Sequence, residues 1–559
     1  MYVVFVESNS KCKKIEDILN KNLKEEYKVF ATGGHIRELP TKELAVDVDK
    51  KYKARYVYNK RSTMMLKKKL KYLMVEKIFL ATDPDIEGER IAYDVYEYLK
   101  KEFKVPFLRV RFNEITKDAV LHGFSRAGEI DMNIVNAQSC RRVMDRLIGY
   151  KVTPYLWKNI DSKASAGRVL SVVARMLYDR EKAVENHVYD TKIVLEGHFG
   201  RADEKLKTIG DSHLDNEELR DATYFIKDVL VKRVMEAPSA PYTTATIQRD
   251  ALTKLGLSAK MCMKVLQNLY QDGYITYIRT DSTKLSNSFR KTLFNFVRQQ
   301  YSPDMVKKRE NKGASKHEQG AHEAIRPTNL GLNANILSAE AFRLYSLIWK
   351  RTVAWYLIEA EREVQDVVIQ DADERVTFNG SVSRLAFPGW RSIFGETETL
   401  FYDFRKKLGK EIDYSSIDVV EKYNAPPGRF KEHTLIRDIE KKGLGRPSTY
   451  AYFMDAIQYK KFAEKKNNIL NAKKVQHITK IKRSGIQDIV QNIEFREHNV
   501  LVLSGLGEMV VEYLNKNFET IMDYDYTANL ETEIDNISMG KRKYEEVVDV
   551  LYQQLKKHL

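Results

Sequence analysis

The chain has 559 residues and a mass of 65.1 kDa, long enough for several domains, and its 43% hydrophobic and 31% charged content is that of a folded protein, not a disordered one. Its 94 Lys+Arg against 78 Asp+Glu leave a formal charge of +16, which favours a polyanionic partner, either nucleic acid or an acidic membrane surface. No stretch approaches the ~20 apolar residues that span a bilayer, and Cys12, Cys140 and Cys262 are too scattered for a zinc ribbon or a disulfide scaffold, which points to a reducing compartment.

Residues 2–6 (Tyr-Val-Val-Phe-Val) read as a buried strand ending at Glu7, not as a secretory signal. A helix follows from about Lys11 to Leu23, with Ile15, Ile18 and Leu19 on one face. Tyr27 to Ala31 is a second strand, leading into Thr32-Gly33-Gly34-His35-Ile36-Arg37-Glu38-Leu39-Pro40. Residues 46–72 are basic and read as a solvated face. A third strand, Lys77 to Thr82, runs into Asp83-Pro84-Asp85-Ile86-Glu87-Gly88-Glu89-Arg90, where an amphipathic helix begins. A short strand near Leu108 to Phe112 and a helix from about Thr116 complete an alternating pattern. That pattern predicts an α/β domain with a parallel sheet, ending near residue 146.

Gly149 to Trp157 reads as an irregular connector, and Ser165 to Arg175 as a helix with small residues at its start. The amides of that helix and Arg168 can hold a phosphate; Arg168 can equally be solvated or salt-bridged. Short alternating strands are predicted over 191–234, and Ala237-Pro238-Ser239-Ala240-Pro241 marks a boundary. Residues 243–270 read as two helical runs divided at Gly256, followed by an extended Ile275-Thr276-Tyr277-Ile278-Arg279-Thr280-Asp281-Ser282. Residues 283–309 read as helical, 311–319 as a mobile polar loop before His322-Glu323-Ala324-Ile325-Arg326-Pro327-Thr328, and 338–359 as helical again. A second alternating-strand region spans 362–424, a linker follows at Ala425-Pro426-Pro427-Gly428-Arg429, and helices with loops are predicted across 431–520 before an amphipathic helix near 541–556. Two sheet regions flanking one helical block suggest that the block is an insertion carried by a β domain.

In parallel sheets functional groups gather at the carboxyl ends of strands, where Glu7 and the Asp83–Glu87 cluster fall. Asp83, Asp85 and Glu87 offer hard oxygens that suit one Mg2+, although the same pattern also describes a solvent-facing acidic turn. If Tyr277 and Arg279 lie on an extended segment, their side chains point to one side and can meet the same phosphate. Tyrosine, with a pKa of about 10, is a poor nucleophile. Its use makes sense where a phosphodiester is stored on the enzyme and then returned. Arg279 would offset charge on the phosphate oxygens, and Lys11 or Glu7, each just beyond a strand end, could protonate a departing sugar oxygen.

Together these stretches resemble the type IA DNA topoisomerases across nearly the whole chain. Val6-Glu7-Ser8 with Lys11 is similar to the family's opening motif, with Asn9 where proline is usual, and Gly34 to Pro40 is similar to the next. Asp83-Pro84-Asp85-Ile86-Glu87 resembles the toprim signature, with Ile86 in place of a common arginine. Ser165-Ala166-Gly167-Arg168-Val169 with Ser171 resembles the helix that touches single-stranded DNA, and Pro241-Tyr242-Thr243-Thr244 with Gln248 the start of the nucleophile's domain. Gly273 to Ser282 resembles the active-tyrosine motif, with Tyr274 at a position more often aliphatic. His322 to Thr328, Pro426 to Arg429, Gly445-Arg446-Pro447-Ser448-Thr449-Tyr450 and Tyr526 to Asp535 match further stretches.

The resemblance implies an α/β toprim domain plus helical domains and a β-rich arch, a multidomain toroid with a central hole. Its domains would be 1–146 (toprim), 237–361 (helical, with the tyrosine), 189–236 with 362–424 (arch), and 147–188 with 425–559 (helical, DNA-binding). It implies ATP-independent relaxation of negatively supercoiled DNA through a 5′-phosphotyrosyl link at Tyr277, strand passage and rejoining. It assigns chemistry to Tyr277, Arg279, Glu7, Lys11 and His322, and Mg2+ to Asp83, Asp85, Glu87 and Glu7. To DNA it assigns His35, Arg37, Arg168, Asp281, Arg326, Arg429, Arg446, Ser448 and Thr449. The expected partner is DNA with single-stranded or underwound regions, bound by a monomer with no membrane and no obligate protein partner. The expected setting is the cytoplasm or nucleoid of a cell, or a large virus, and not the secreted space. The sequence shows no zinc ribbon or basic repeat beyond the core, so weak processivity is expected. Other readings are a topoisomerase III-like decatenase, a toprim primase or nuclease, and a non-catalytic single-stranded DNA-binding protein.

Overall fold

The computed structural model describes residues 1–201, 204–310, 323–332 and 336–558. At the N-terminus four parallel strands lie in the order Tyr27–Ala31, Tyr2–Val6, Lys77–Leu80, Phe107–Arg109. Both faces of this sheet are covered, and Val3, Val4, Phe5 and Val6 are accordingly all apolar and fully buried. The helices Asn9–Asn22, Ile86–Leu99 and Lys117–Ser125 each begin at a side chain that accepts from the first turn, namely Ser8, Asp85 and Thr116.

The irregular connector expected at 149–157 is replaced by one helix, Met132–Asn159, of 28 residues and about 42 Å, which runs across position 146. It runs through Gly149 and contains Pro154. Burial holds it: Val143, Met144, Leu147, Ile148, Val152 and Leu156 sit in a core shared with helices Leu170–Glu185, Tyr524–Ser538 and Tyr544–Lys556. That contact outweighs the missing proline donor.

The largest sheet is antiparallel, with eight strands. In spatial order they are Tyr224–Glu236, Ala360–Asp371, Val376–Phe387, Leu206–Ser212, Thr191–Phe199, Tyr414–Tyr423, Ile469–Lys482 and Gly485–Glu497. Its strands come from both sides of a helical block, as the insertion reading expects. Within the block Gly256, with φ +71°, closes helix Thr244–Leu255 so that Ala259–Gln271 can start in a new direction.

The last two strands correct the expectation of helices and loops across 431–520. Helices are found there at Glu432–Lys441, Tyr450–Tyr459 and Gly505–Asn517, but residues 463–503 are β structure. The long hairpin 469–497 pairs through Ile417–Val420 with the large sheet. The loop expected at 311–319 and His322 lie outside the described residues.

Candidate active site

The site is built on the turn after strand Lys77–Leu80. Asp85 caps helix Ile86–Leu99, its Oδ1 accepting from the Gly88 amide at 2.7 Å. A Cβ on Gly88 would lie 2.1 Å from the Asp83 carbonyl oxygen, so only glycine lets the helix start this close to the strand end. Arg109, completely buried, is the strut beneath. It donates to the carbonyls of Leu80 and Thr82 at 2.9 Å and of Asp83 at 2.8 Å, and pairs with Glu89 at 2.9 Å. Sequence reasoning missed Arg109 and Glu89; an arginine inside the apolar strand Phe107–Arg109 was the available signal.

Tyr277 reaches this turn from the helical block. Its segment joins no named strand: Ile275 makes an isolated bridge with Pro327, and the chain bends at Ile278 between Tyr277 and Arg279. Thr276 N donates to Arg326 O at 3.0 Å, and Tyr277 N donates to Asn113 O at 2.7 Å, across to the N-terminal domain. The Tyr277 hydroxyl donates to Asp85 Oδ2 at 2.6 Å, and Arg279 Nη1 donates to the same oxygen at 3.1 Å. The two-residue spacing therefore does aim both groups at one acceptor, here a carboxylate. Burial, then Asp85 and Asp83, push the Tyr277 phenol well above its usual range, so its resting form is protonated. Burial also disfavours charge on Asp85, but Arg279, the Tyr277 hydroxyl and the Gly88 amide together hold its carboxyl below the usual value.

Around this pair stand the other carboxylates. Lys11 is buried against Asp83, with Nζ 4.7 Å from the Tyr270 ring, and that ring lies 5.2 Å from the Tyr277 ring. Glu7 Oε1 accepts from Asp83 N at 3.1 Å. Burial, with Asp83 and Asp85 close by, pushes Glu7 up to about 8. Glu87 lines the cleft beside Asp85 and Arg279 and receives His35 Nε2 at 2.8 Å and Gln138 Nε2 at 3.1 Å. His35 is raised to about 9, since Asp94 and Glu87 together outweigh the burial that opposes its charge. Arg37 is bound to Asp94 at 2.7 Å. Among the described residues no three His, Cys, Asp or Glu side chains are gathered as metal ligands. The chemistry of the donors nonetheless fits a hard divalent cation. Glu7, Asp83 and Asp85 are hard oxygen donors close together at the strand ends, Glu7 Oε1 accepting from the Asp83 amide.

The groups assigned to DNA divide in two. Arg279, Asp281, Arg446 and Ser448 line one narrow cleft with Asp85 and with Arg141, which sequence reasoning missed. Thr449 Oγ1 accepts from Arg446 N at 2.9 Å and shapes that loop. The remaining arginines are tied down inside the protein. Arg168, left open from sequence between a phosphate holder and a salt-bridged residue, pairs with Glu531 and with Asp145 at 3.1 Å. Arg326 pairs with Glu114 and Glu323, both at 2.7 Å, and Arg429 with Glu181 and Glu497, both at 2.8 Å. Arg446 touches the cleft while anchored to Asp535 at 2.5 Å.

Residues 2–115 match the Toprim domain family, and residues 129–497 match the family described as DNA topoisomerase. The chain belongs to the type IA DNA topoisomerases. Over 99% of its length it is 32% identical to a protein of Acanthamoeba polyphaga mimivirus described as "DNA topoisomerase 1 type prokaryotic", covering 71% of that protein. Full-length topoisomerase I from Thermotoga maritima has a similar structure, with a TM-score of 0.82 at 28% identity, over 100% of this chain and 90% of that one. As a type IA topoisomerase the protein is an enzyme that relaxes negatively supercoiled DNA without ATP, through a phosphotyrosyl intermediate. Family membership also implies a divalent metal. No helix among the described residues is long and apolar enough to cross a membrane.

Proposed function

We propose that Tyr277 is the residue that carries the cut strand. The observation that carries this reading is its hydroxyl, held 2.6 Å from Asp85 at the carboxyl end of the parallel sheet with Arg279 on the same oxygen. A backbone phosphate entering the cleft takes the place of Asp85 as the partner of Arg279. The Tyr277 oxygen then bonds to phosphorus, the bond from phosphorus to the 3′ oxygen breaks, and the tyrosine keeps the 5′ phosphate. The phenol proton leaves as the bond to phosphorus forms and is balanced by the proton taken up at the 3′ oxygen, while Asp85, held below the usual carboxylate value, orients the phenol. Lys11 and Glu7 stand beside Asp83 as the groups that can protonate the departing 3′ oxygen. His322 belongs to this group by resemblance alone. Rejoining runs the same steps backwards, and the phosphodiester energy is conserved in the link.

Glu7, Asp83 and Asp85 would hold Mg2+, with Glu87 added if it leaves His35. Bound there, the ion would orient and neutralise backbone phosphate next to the tyrosine. Arg279, Asp281, Arg446, Ser448 and Thr449 would shape the path of a single strand, with His35 and Arg37 behind Glu87. Arg168, Arg326 and Arg429 act through the walls they brace. The large sheet serves as an arch closing a toroid, through whose hole the second strand passes. The working domains remain 1–146, 237–361, the arch 189–236 with 362–424, and 147–188 with 425–559. The pairing of Ile469–Lys482 with Tyr414–Tyr423 favours giving hairpin 469–497 to the arch. The likeness to a mimivirus protein favours a large virus as the setting, with the enzyme acting as a monomer on viral DNA.

A plasmid assay tests the reading. Wild type relaxes negative supercoils with Mg2+. Tyr277→Phe abolishes relaxation and covalent capture of DNA and leaves DNA binding near normal. Relaxation by Tyr277→Phe would overturn the assignment.

A further inference from the structure

We infer that Glu114 is the ionic catch that brings the tyrosine-bearing block back onto the N-terminal domain for rejoining. The inference rests on reading Tyr277 as the covalent anchor. In the closed state five polar contacts among the described residues join the block to that domain close to the site, beside the packing of Lys11 on the Tyr270 ring. Two of them, the Tyr277 hydroxyl and Arg279 on Asp85, are given up once the tyrosine carries phosphate. The other three are the Tyr277 amide on Asn113 O, Lys14 on Asp272 O, and Glu114 Oε2 on Arg326 Nη1 at 2.7 Å. The last is the only one of the three in which both partners are charged side chains.

The two partners are unequal in a way that suits a contact made and broken repeatedly. Arg326 is 4% exposed and lies 3.9 Å over the Phe289 ring. It also holds Glu323, through Nε at 2.7 Å and Nη2 at 3.0 Å. When the block lifts away, Arg326 therefore keeps a carboxylate and an aromatic face, all within its own segment. A buried cation stripped of every partner would oppose opening strongly; this one is not stripped. Glu114 sits at the domain edge, keeps its bond from Thr116 Oγ1 at 3.0 Å, and meets water on separation. Opening thus exchanges one charge-assisted pair for hydration, a modest change in either direction. Position adds to this. Glu114 follows Asn113, whose carbonyl receives the Tyr277 amide, and Arg326 supplies the carbonyl that receives the Thr276 amide. Closing the pair therefore sets the backbone of Thr276 and Tyr277 in register with the Asp83–Asp85 turn. Glu114 is a positioning residue: it acts through Arg326 and touches no reacting atom.

The test uses the full chain with a labelled single-stranded oligonucleotide and Mg2+. It compares wild type, Glu114→Gln, Glu114→Asp and Tyr277→Phe for covalent fraction at equilibrium, rejoining rate after a salt jump, and thermal midpoint. Glu114→Gln keeps the shape and loses the charge. It should slow rejoining and raise the covalent fraction by about two- to fivefold, the size expected for loss of one ion pair near the surface, with the thermal midpoint unchanged. Glu114→Asp, which keeps the charge, should recover part of the rate. Wild-type rejoining by Glu114→Gln would overturn the catch, as would equal slowing in Gln and Asp that tracks a lowered midpoint. Covalent capture by Tyr277→Phe would instead sink the reading of the site, so the two failures are distinguishable.

Discussion

The Tyr277 hydroxyl and the Arg279 guanidinium share a single oxygen of Asp85, at 2.6 and 3.1 Å. The proposed nucleophile thus rests on a proposed metal ligand, and the group that would clamp the phosphate rests there too. Each must change partner when DNA enters.

Arg279→Lys tests that exchange. Lysine keeps the positive charge but loses the planar fork that can grip two phosphate oxygens once Asp85 is released. Cleavage of a single-stranded oligonucleotide should fall by about 10²-fold, with oligonucleotide affinity changed far less. Equal losses in both would mean that Arg279 serves binding alone.

Gly88→Ala tests the packing under the carboxylates. The added Cβ must push the helix start away from the Asp83 carbonyl, which it would meet at 2.1 Å. Overpacking of this kind costs roughly 1–3 kcal/mol. The expected result is a lower thermal midpoint together with loss of Mg2+-dependent relaxation, because Asp83 and Asp85 move with the turn.

Glu531 should govern acid stability. Burial opposes its charge, but Arg168, Arg141 and Arg446 prevail and hold its carboxyl down at about 2. A carboxyl lowered from an unfolded value of about 4.3 contributes stability that is complete above that pH and is lost as pH falls through the folded value. Unfolding followed from pH 5 to pH 2 should show this loss. Glu531→Gln, which takes the carboxylate from Arg141 while Arg168 keeps Asp145 and Arg446 keeps Asp535, should be roughly 1–3 kcal/mol less stable at neutral pH and should show a flatter acid slope.

Ile86 lines the cleft beside Asp85 and Arg279, where the family commonly has arginine. Ile86→Arg should tighten single-strand binding at low salt and steepen its dependence on log salt by about 1. The Mg2+ requirement for relaxation should be unchanged. A shifted Mg2+ optimum would mean that the side chain at 86 acts on the metal site.

Much of the N-terminal domain was legible, because a parallel sheet covered on both faces writes itself as apolar runs such as Val3 to Val6. The helix 132–159 was not, because Gly149 and Pro154 are breakers by local rules, and the burial that overrides them involves helices some 400 residues later. The hairpin 469–497 was missed because its more covered face is only half-buried and carries polar residues such as Asn471, Lys474 and Gln476, so no apolar alternation is written into the sequence. Ser484-Gly485 at its turn was the signal to follow. In the site, spacing alone suggested that Tyr277 and Arg279 share a partner. It could not separate Arg279, which faces the cleft, from Arg168 or Arg326, because their partners Glu531 and Glu114 are remote in sequence.

The strands that leave and re-enter the large sheet around the tyrosine-bearing block, Tyr224–Glu236 and Ala360–Asp371, are paired side by side from Tyr224↔Asp371 to Glu236↔Ala360, and the first is the sheet's edge. The block is thus slung from a two-stranded strap. If Tyr277 carries the cut strand as proposed, tension on it would run lengthwise into that strap and be shared by a whole ladder of hydrogen bonds, swinging the block without peeling its mooring apart.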